Sequence, residues 1–285
     1  MNSAVDRAAK FIWEHYSEPL SLADIAKSSL LSRFHLCRVF QAATRVSPCR
    51  FLSAVRIYQA KHMLLTTSAN ITDIAFAVGY NSVGSFTNYF TSSVGVSPRL
   101  FRRIARDGGF GFPFPAAGAS SAHGAVCGTI GLPRGYAGAR VYLGAFTTPV
   151  VQHQPAAAVL VDIPDDGRPS LYHLPYVPRG RWFIHAVGVA DSTDPEPWTR
   201  RTALAGGHNP VSVTGGTAPA AISLRPRRMT DPPVLLALPD LEAWMAGSAS
   251  SEGRPVSTRP DVIAAMESRP RRRLSGTPSS ANGRT

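Results

Sequence analysis

In residues 33–45, Leu36, Val39, Phe40 and Ala43 recur at about 100° per residue and mark one face of a helix. Phe34, Arg38, Gln41 and Arg45 share the opposite face, with His35 and Cys37 on its flanks. Such a set suits the major groove of a nucleic-acid duplex. A guanidinium bonds two acceptors of guanine, a Gln amide bonds adenine, and a Phe ring packs on a thymine methyl. A second set lies fifty residues on, where Phe86, Tyr89 and Phe90 form the apolar stripe and Gly84, Thr87, Asn88 and Thr91 the other face. That face is small and uncharged, able to approach a duplex closely, and Asn88 is its best candidate for a base edge. Arg99, Arg102, Arg103 and Arg106 follow Pro98 and could neutralise phosphates, giving a salt-sensitive affinity.

The elements that carry these residues repeat. Leu22-Ala23-Asp24-Ile25-Ala26 matches Ile71-Thr72-Asp73-Ile74-Ala75 at an offset of 49, and Val46-Ser47-Pro48 matches Val96-Ser97-Pro98 at an offset of 50. The extra residue falls in the turn, Leu30-Leu31 in one copy and Gly79-Tyr80-Asn81 in the other. Ser32 and Ser82 then stand where a helix N-cap is needed. Each unit reads as a short helix, a turn, a longer helix and a Ser-Pro restart, which is a helix-turn-helix used twice. Residues 48–67 form the rigid connector, with Phe51, Leu52, Val55, Tyr58, Gln59 and Met63 close to one stripe. Held about 34 Å apart, the two longer helices could enter successive major-groove segments.

Bulk properties agree with a polyanionic partner. The 285 residues carry a formal charge of +12, of which residues 1–107 supply +7. The length suits two domains, and 44% hydrophobic residues allow real cores. Cys37, Cys49 and Cys127 form no metal-like or disulfide pattern, which fits a reducing, cytoplasmic setting. Neither a signal peptide nor a run of about 18 apolar residues is evident, so no membrane partner is expected. Composition changes near Asp107. Residues 108–124 read as a linker, 125–246 as a β-sandwich domain, and 247–285 as a disordered tail. The sandwich rests on seven short runs between Gly/Pro turns: 125–132, 139–146, 156–163, 170–177, 181–190, 210–213 and 219–224.

The helical residues resemble the AraC/XylS family of bacterial transcription activators across residues 5–103. The most specific stretch is Ile74-Ala75-Phe76-Ala77-Val78-Gly79-Tyr80 with Ser82, Phe86, Phe90, Gly95, Ser97, Pro98 and Phe101. Leu20-Ser21-Leu22-Ala23-Asp24-Ile25-Ala26 with Ser32, Leu36, Arg38, Phe40 and Pro48 matches the first unit. The resemblance implies base contacts at Phe34, Cys37, Arg38, Gly84 and Asn88, to which the helical wheel adds Gln41. Backbone contacts are expected at Ser32, Arg33, Arg45, Ser82, Thr87, Thr91, Arg99, Arg102 and Arg103. Double-stranded DNA is the implied partner, with RNA polymerase, a homodimer partner and a small-molecule effector as further ones. Three departures stand out. Leu30 replaces the turn glycine, requiring a changed turn or φ > 0, Asn88 stands where Arg is usual, and Gln41 and Thr91 stand where Lys is usual.

Residues 125–225 resemble transthyretin-like, carboxypeptidase-regulatory-like β-domains. The similarity rests on Gly128-Thr129-Ile130, on Ala139-Arg140-Val141-Tyr142-Leu143, and on Val177-Pro178-Arg179-Gly180-Arg181-Trp182. Such a module would sense an effector, dimerise, or contact another protein. The rival class is a DNA-binding enzyme or adaptor whose β-domain binds a peptide or carbohydrate. His153, His173, His185 and His208 lack ligand spacing, Asp165-Asp166-Gly167 reads as a hairpin turn, and Cys127 has no paired base. AraC-like repair methyltransferases need a zinc-binding Cys cluster, and this chain has too few cysteines. No catalytic residue, metal or cofactor is expected.

Overall fold

A computed structural model describes residues 3–109, 111–115, 123–193, 201–239 and 241–243. The expected tail, 247–285, lies outside them. Seven helices come first: α1 (Ser3–His15), α2 (Leu22–Ser28), α3 (Arg33–Thr44), α4 (Pro48–Thr66), α5 (Ile71–Ala77), α6 (Val83–Val94) and α7 (Pro98–Asp107). Six of them start on a polar side chain that accepts from an otherwise unpaired backbone N–H: Ser21, Ser32, Ser47, Asn70, Ser82 and Ser97. Each such cap is worth about 1 kcal/mol. Pro48 and Pro98 occupy first helical positions, where a missing N–H costs nothing.

The pairs α2–α3 and α5–α6 flank α4, and the second turn is one residue longer than the first. The core runs through aromatic contacts, with Phe40 edge-on to Phe51 at 5.3 Å and Phe86, Phe90 and Phe101 in series. Two sequence expectations change here. On α3, Thr44 is buried and Ala43 exposed. The chain turns left-handed at Arg45, and the Thr44 hydroxyl folds back to donate to Phe40 O at 2.8 Å. On α4, burial is not one stripe, since Ala54, Ile57, Ala60, Lys61 and Leu64 are buried as well. The helix is central and is covered on several sides.

Among the described residues the β-rich region has nine strands: β1 (His123–Gly131), β2 (Tyr136–Phe146), β3 (Ala157–Ile163), β4 (Ser170–Pro178), β5 (Gly180–Ser192), β6 (Arg201–Val213), β7 (Thr217–Pro219), β8 (Ile222–Ser223) and β9 (Arg225–Pro226). They form two open sheets, β4-β1-β7 with β8 also on β1, and β3-β2-β5-β6-β9. Val126, Ile130 and Leu174 from one sheet share a core with Leu143, Ile184 and Leu204 from the other. Three differences from expectation follow from pairing. Strand β6 starts at Arg201, far before residue 210, because it pairs along β5 from Asp191 to Gly180. Strand β1 starts inside the expected linker. The turn at Asp165-Asp166-Gly167 is no hairpin, because β3 pairs with β2 whereas β4 pairs with β1.

The second sheet turns its outer face towards the helices, and residues 232–239 run between them. Leu235 and Ala237 join the helical core, while Val234, Leu236 and Leu238 pack on Tyr142, Phe146 and Val187 of the sheet. Ala237 N donates to Val94 O at 3.2 Å, and Leu235 N to Val151 O at 2.8 Å. Lys61 Nζ lies 2.6 Å from Glu242 Oε1, both side chains 1% exposed, and also donates to Leu236 O. Burial pulls the Lys61 ammonium down and pushes the Glu242 carboxyl up, and each partner opposes the other's shift. Part of the expected linker is also packed: Phe112 stacks on Tyr142, whose hydroxyl donates to Pro113 O at 2.6 Å.

Candidate nucleic-acid interface

Helix α3 is pinned by Leu36 and Phe40, both fully buried, so its opposite face must look outward. On that face Phe34 is 87% exposed, and Arg33, Arg38 and Gln41 are exposed beside it. Cys37 is half-buried on the flank. Arg38 Nη2 lies 3.3 Å from His35 Nδ1, one turn back, which orients the guanidinium along the helix surface. Ser32 is committed as N-cap and accepts from His35 N at 3.3 Å. Arg45 has left this surface: it sits at the left-handed end of α3 and donates to Asn209 Oδ1 of β6 at 3.1 Å.

Helix α6 is held in the same way by Phe86 and Phe90. Gly84 and Asn88 are exposed, while Thr87 and Thr91 are half-buried. A side chain added at Gly84 would meet nothing within 4 Å, so its absence leaves a flat approach and fills no packing need. Ser82 accepts from Ser85 N at 3.2 Å, and its hydroxyl donates to Ser85 Oγ at 2.9 Å. Tyr89 lies on the inner flank, where burial pushes its phenol up despite the nearby Arg50.

The α7 arginines divide. Arg99, Arg103 and Arg106 are exposed, whereas Arg102 donates to Ala69 O at 2.6 Å and Leu64 O at 3.4 Å. Arg102 therefore ties α7 to the end of α4 and the loop before α5. Burial, and then its neighbour Arg106, lower its pKa from the usual arginine value. Asn70 lines a groove with Arg99, Arg103 and Arg106. The sequence reading did not single Asn70 out, although the 49-residue offset aligns it with Ser21, the N-cap of α2. Arg56 was also missed. It donates to Tyr16 O at 2.8 Å and Glu18 O at 2.7 Å, clamping the α1–α2 connection beside the second turn. Burial lowers its pKa and raises that of adjacent Tyr80. No group of three or more His, Cys, Asp or Glu that could hold a metal occurs among the described residues. No described helix is long and apolar enough to cross a membrane.

Short helices paired with longer outward-facing ones, arranged twice about a central connector, define the helical region as a helix-turn-helix domain. Residues 25–104 match the family model described as helix-turn-helix domain, and the region is of the AraC type. Among curated relatives, the lactose operon transcription activator of Staphylococcus xylosus is 32% identical over 102 residues, 36% of this chain and 37% of that protein. The uncharacterised HTH-type transcriptional regulator YfiF of Bacillus subtilis is 38% identical over 96 residues, 34% of this chain and 30% of the relative. A solved transcriptional regulator with an AraC-type DNA-binding domain, from Chromobacterium violaceum, is 27% identical with a TM-score of 0.35, covering 36% of this chain and 91% of that one. The chain thus spans about a third of the length of the curated relatives it matches.

Proposed function

We propose that this protein is a sequence-specific DNA-binding transcription regulator that lays α3 and α6 in adjacent major-groove segments. The observation that carries the reading is Phe34, 87% exposed on the outward face of α3 between Arg33 and Arg38. An aromatic ring left in water forgoes about 25 cal/mol for each Å² it could bury. Beside a guanidinium and an amide, the partner that suits it is a thymine methyl flanked by base edges. Arg38 and Gln41 then read bases with Phe34 and Cys37, while Gly84 and Asn88 form a lighter contact in the next segment. Ser32, Arg33, Ser82, Thr87, Thr91, Arg99 and Arg103 hold the phosphate backbone. Arg45 and Arg102, occupied within the protein, act by positioning α3 and α7.

The curated relatives named as transcription regulators support this reading over a catalytic one. The β-rich region, with its resemblance to transthyretin-like modules, serves dimerisation, contact with another protein or effector sensing, and RNA polymerase is the onward partner at a promoter. The test is selection of duplexes from a random library by the full-length protein, followed by a salt titration on the enriched site. An enriched motif bound with a steep salt dependence is expected. Failure to enrich any motif, with salt-independent retention, would sink the proposal.

A further inference from the structure

The two helical pairs meet at a junction beside α4. From the middle of that helix Arg56 reaches the connection between α1 and α2, where Nε donates to Tyr16 O at 2.8 Å and Nη2 to Glu18 O at 2.7 Å. The turn of the second pair closes on the same spot. A Cβ placed on Gly79 would lie 2.8 Å from Ser17 O, 3.0 Å from Tyr16 O and 3.0 Å from Arg56 Nη2. A residue without a side chain lets these backbones approach so closely. One guanidinium thus sits against the entry to the first pair and the turn of the second. Both of its bonds fall on carbonyls, so its rigid fork ties down backbone.

Each side of the junction leads to a longer helix. On one side, Arg7 of α1 donates to Ser29 O at 3.0 Å, just before the turn into α3. Trp13 of α1 and Phe40 of α3 both stand edge-on to Phe51 of α4. On the other side, Tyr80 directly follows Gly79, and its ring stands edge-on to Phe86 of α6 at 5.4 Å. Phe86 is fully buried, so α6 cannot shift without Tyr80. Two units packed on a shared helix can still roll about its axis. A contact to one side of that axis removes the roll, and Arg56 supplies it.

We propose that Arg56 is a positioning residue that sets the angle between α3 and α6, and so lets both enter adjacent major-groove segments of one duplex. The use on DNA rests on the reading above, whereas the angle is a property of the free protein. With the angle held, the second contact becomes intramolecular once the first is made, and the two multiply in affinity.

The test first measures the angle without DNA. Nitroxide labels on Gln41→Cys and Asn88→Cys, in full-length protein carrying Cys37→Ser, Cys49→Ser and Cys127→Ser, report the separation of α3 and α6 by double electron–electron resonance. Helices poised for adjacent segments stand about 34 Å apart, within reach of the method. A single narrow distance peak is expected with Arg56 in place, and a peak at least twofold broader in Arg56→Met. Ile57→Val, which trims a fully buried neighbour on α4, leaves the peak narrow. Near-UV circular dichroism verifies each fold, and Arg56→Lys, which keeps the charge but not the fork, replaces Arg56→Met if that variant does not fold. On the selected duplex, unlabelled Arg56→Met binds at least tenfold more weakly and with a shallower salt dependence, because the phosphate contacts of the second pair no longer form together with those of the first. An equally narrow peak in the Arg56 variant, or equal broadening by Ile57→Val, overturns the positioning role. A broadened peak with unchanged DNA Kd and salt dependence overturns its use on DNA. Should the unaltered protein bind no duplex at all, the regulator reading fails, and the distance measurement alone decides whether Arg56 sets the angle.

Discussion

The two helical pairs make the same turn with different residues at its left-handed position. Leu31 N donates to Ala26 O at 3.0 Å, and Tyr80 N to Ala75 O at 3.0 Å, so each turn needs one residue at positive φ. That residue is Leu30 at φ 60° in the first pair and Gly79 at φ 87° in the second. Their surroundings explain the choice. A Cβ on Gly79 would lie 2.8 Å from Ser17 O and 3.0 Å from Tyr16 O, the stretch that Arg56 clamps. Leu30 is 83% exposed and meets no such wall. The helix ends differ likewise: α3 finishes at an exposed Arg45 on Asn209, whereas α6 is bracketed by His153 on Ser93 O and Ala237 on Val94 O. The end of α6 is held through its own backbone carbonyls, and the end of α3 through a side chain.

The largest effect should come from removing the brace on the second pair. Glu242→Ala leaves the Lys61 ammonium buried without its carboxylate and should cost about 3–5 kcal/mol in denaturant unfolding. Amide exchange should rise at the end of α6 more than at the end of α3. Equal loosening of both would show that the brace is not specific to the second pair. Next is Gly79→Ala, which adds left-handed strain to a backbone clash and should cost about 2–4 kcal/mol. A loss below about 1 kcal/mol would mean that the Ser17 carbonyl yields easily.

How much of this was legible in the sequence depends on whether a feature is local. The repeat, the Ser and Asn caps, and the Pro48 and Pro98 starts all follow from residues near one another, and the helices they bound agree closely with expectation. The exposure of Phe34 and Asn88 also follows from helical period. The first half of β6 does not, because Ala205-Gly206-Gly207-His208 has little strand preference and is held by pairing with β5. The segment around Pro232-Pro233-Val234-Leu235-Leu236 reads as coil after a β-domain. Its partners, Lys61 and Val94, lie well over a hundred residues away in the chain. Arg45 and Arg102 also bond within the protein, and those acceptors, Asn209 and Ala69, are invisible to a helical wheel.

On DNA, the comparison is sharpened by single truncations on the selected site. Arg38→Ala should weaken binding by about 1–3 kcal/mol and relax preference at one base position. Asn88→Ala, on a face with less to read with, should cost under about 1 kcal/mol and alter the motif little. Equal losses in affinity and motif from both would erase the asymmetry. Uniform weakening by Arg38→Ala across all sequences would move that residue to the phosphates.

The smallest effect is the most direct probe of the turn itself. An L-residue in the left-handed region costs about 1–2 kcal/mol, and Leu30 recovers nothing by packing, since its side chain is exposed. Leu30→Gly removes that strain but adds backbone freedom to the unfolded chain, worth about 0.5–1 kcal/mol against folding. The net expectation is a gain of about 0.5–1 kcal/mol, read as a higher denaturation midpoint with an unchanged slope. DNA affinity should stay constant, because the turn bonds from Leu30 N and Leu31 N are kept by any residue. A loss of stability would mean that Leu30 makes a contact stronger than its strain. A change in DNA affinity at unchanged stability would mean that this exposed leucine faces the duplex, and the first pair would then extend its reading surface into its own turn.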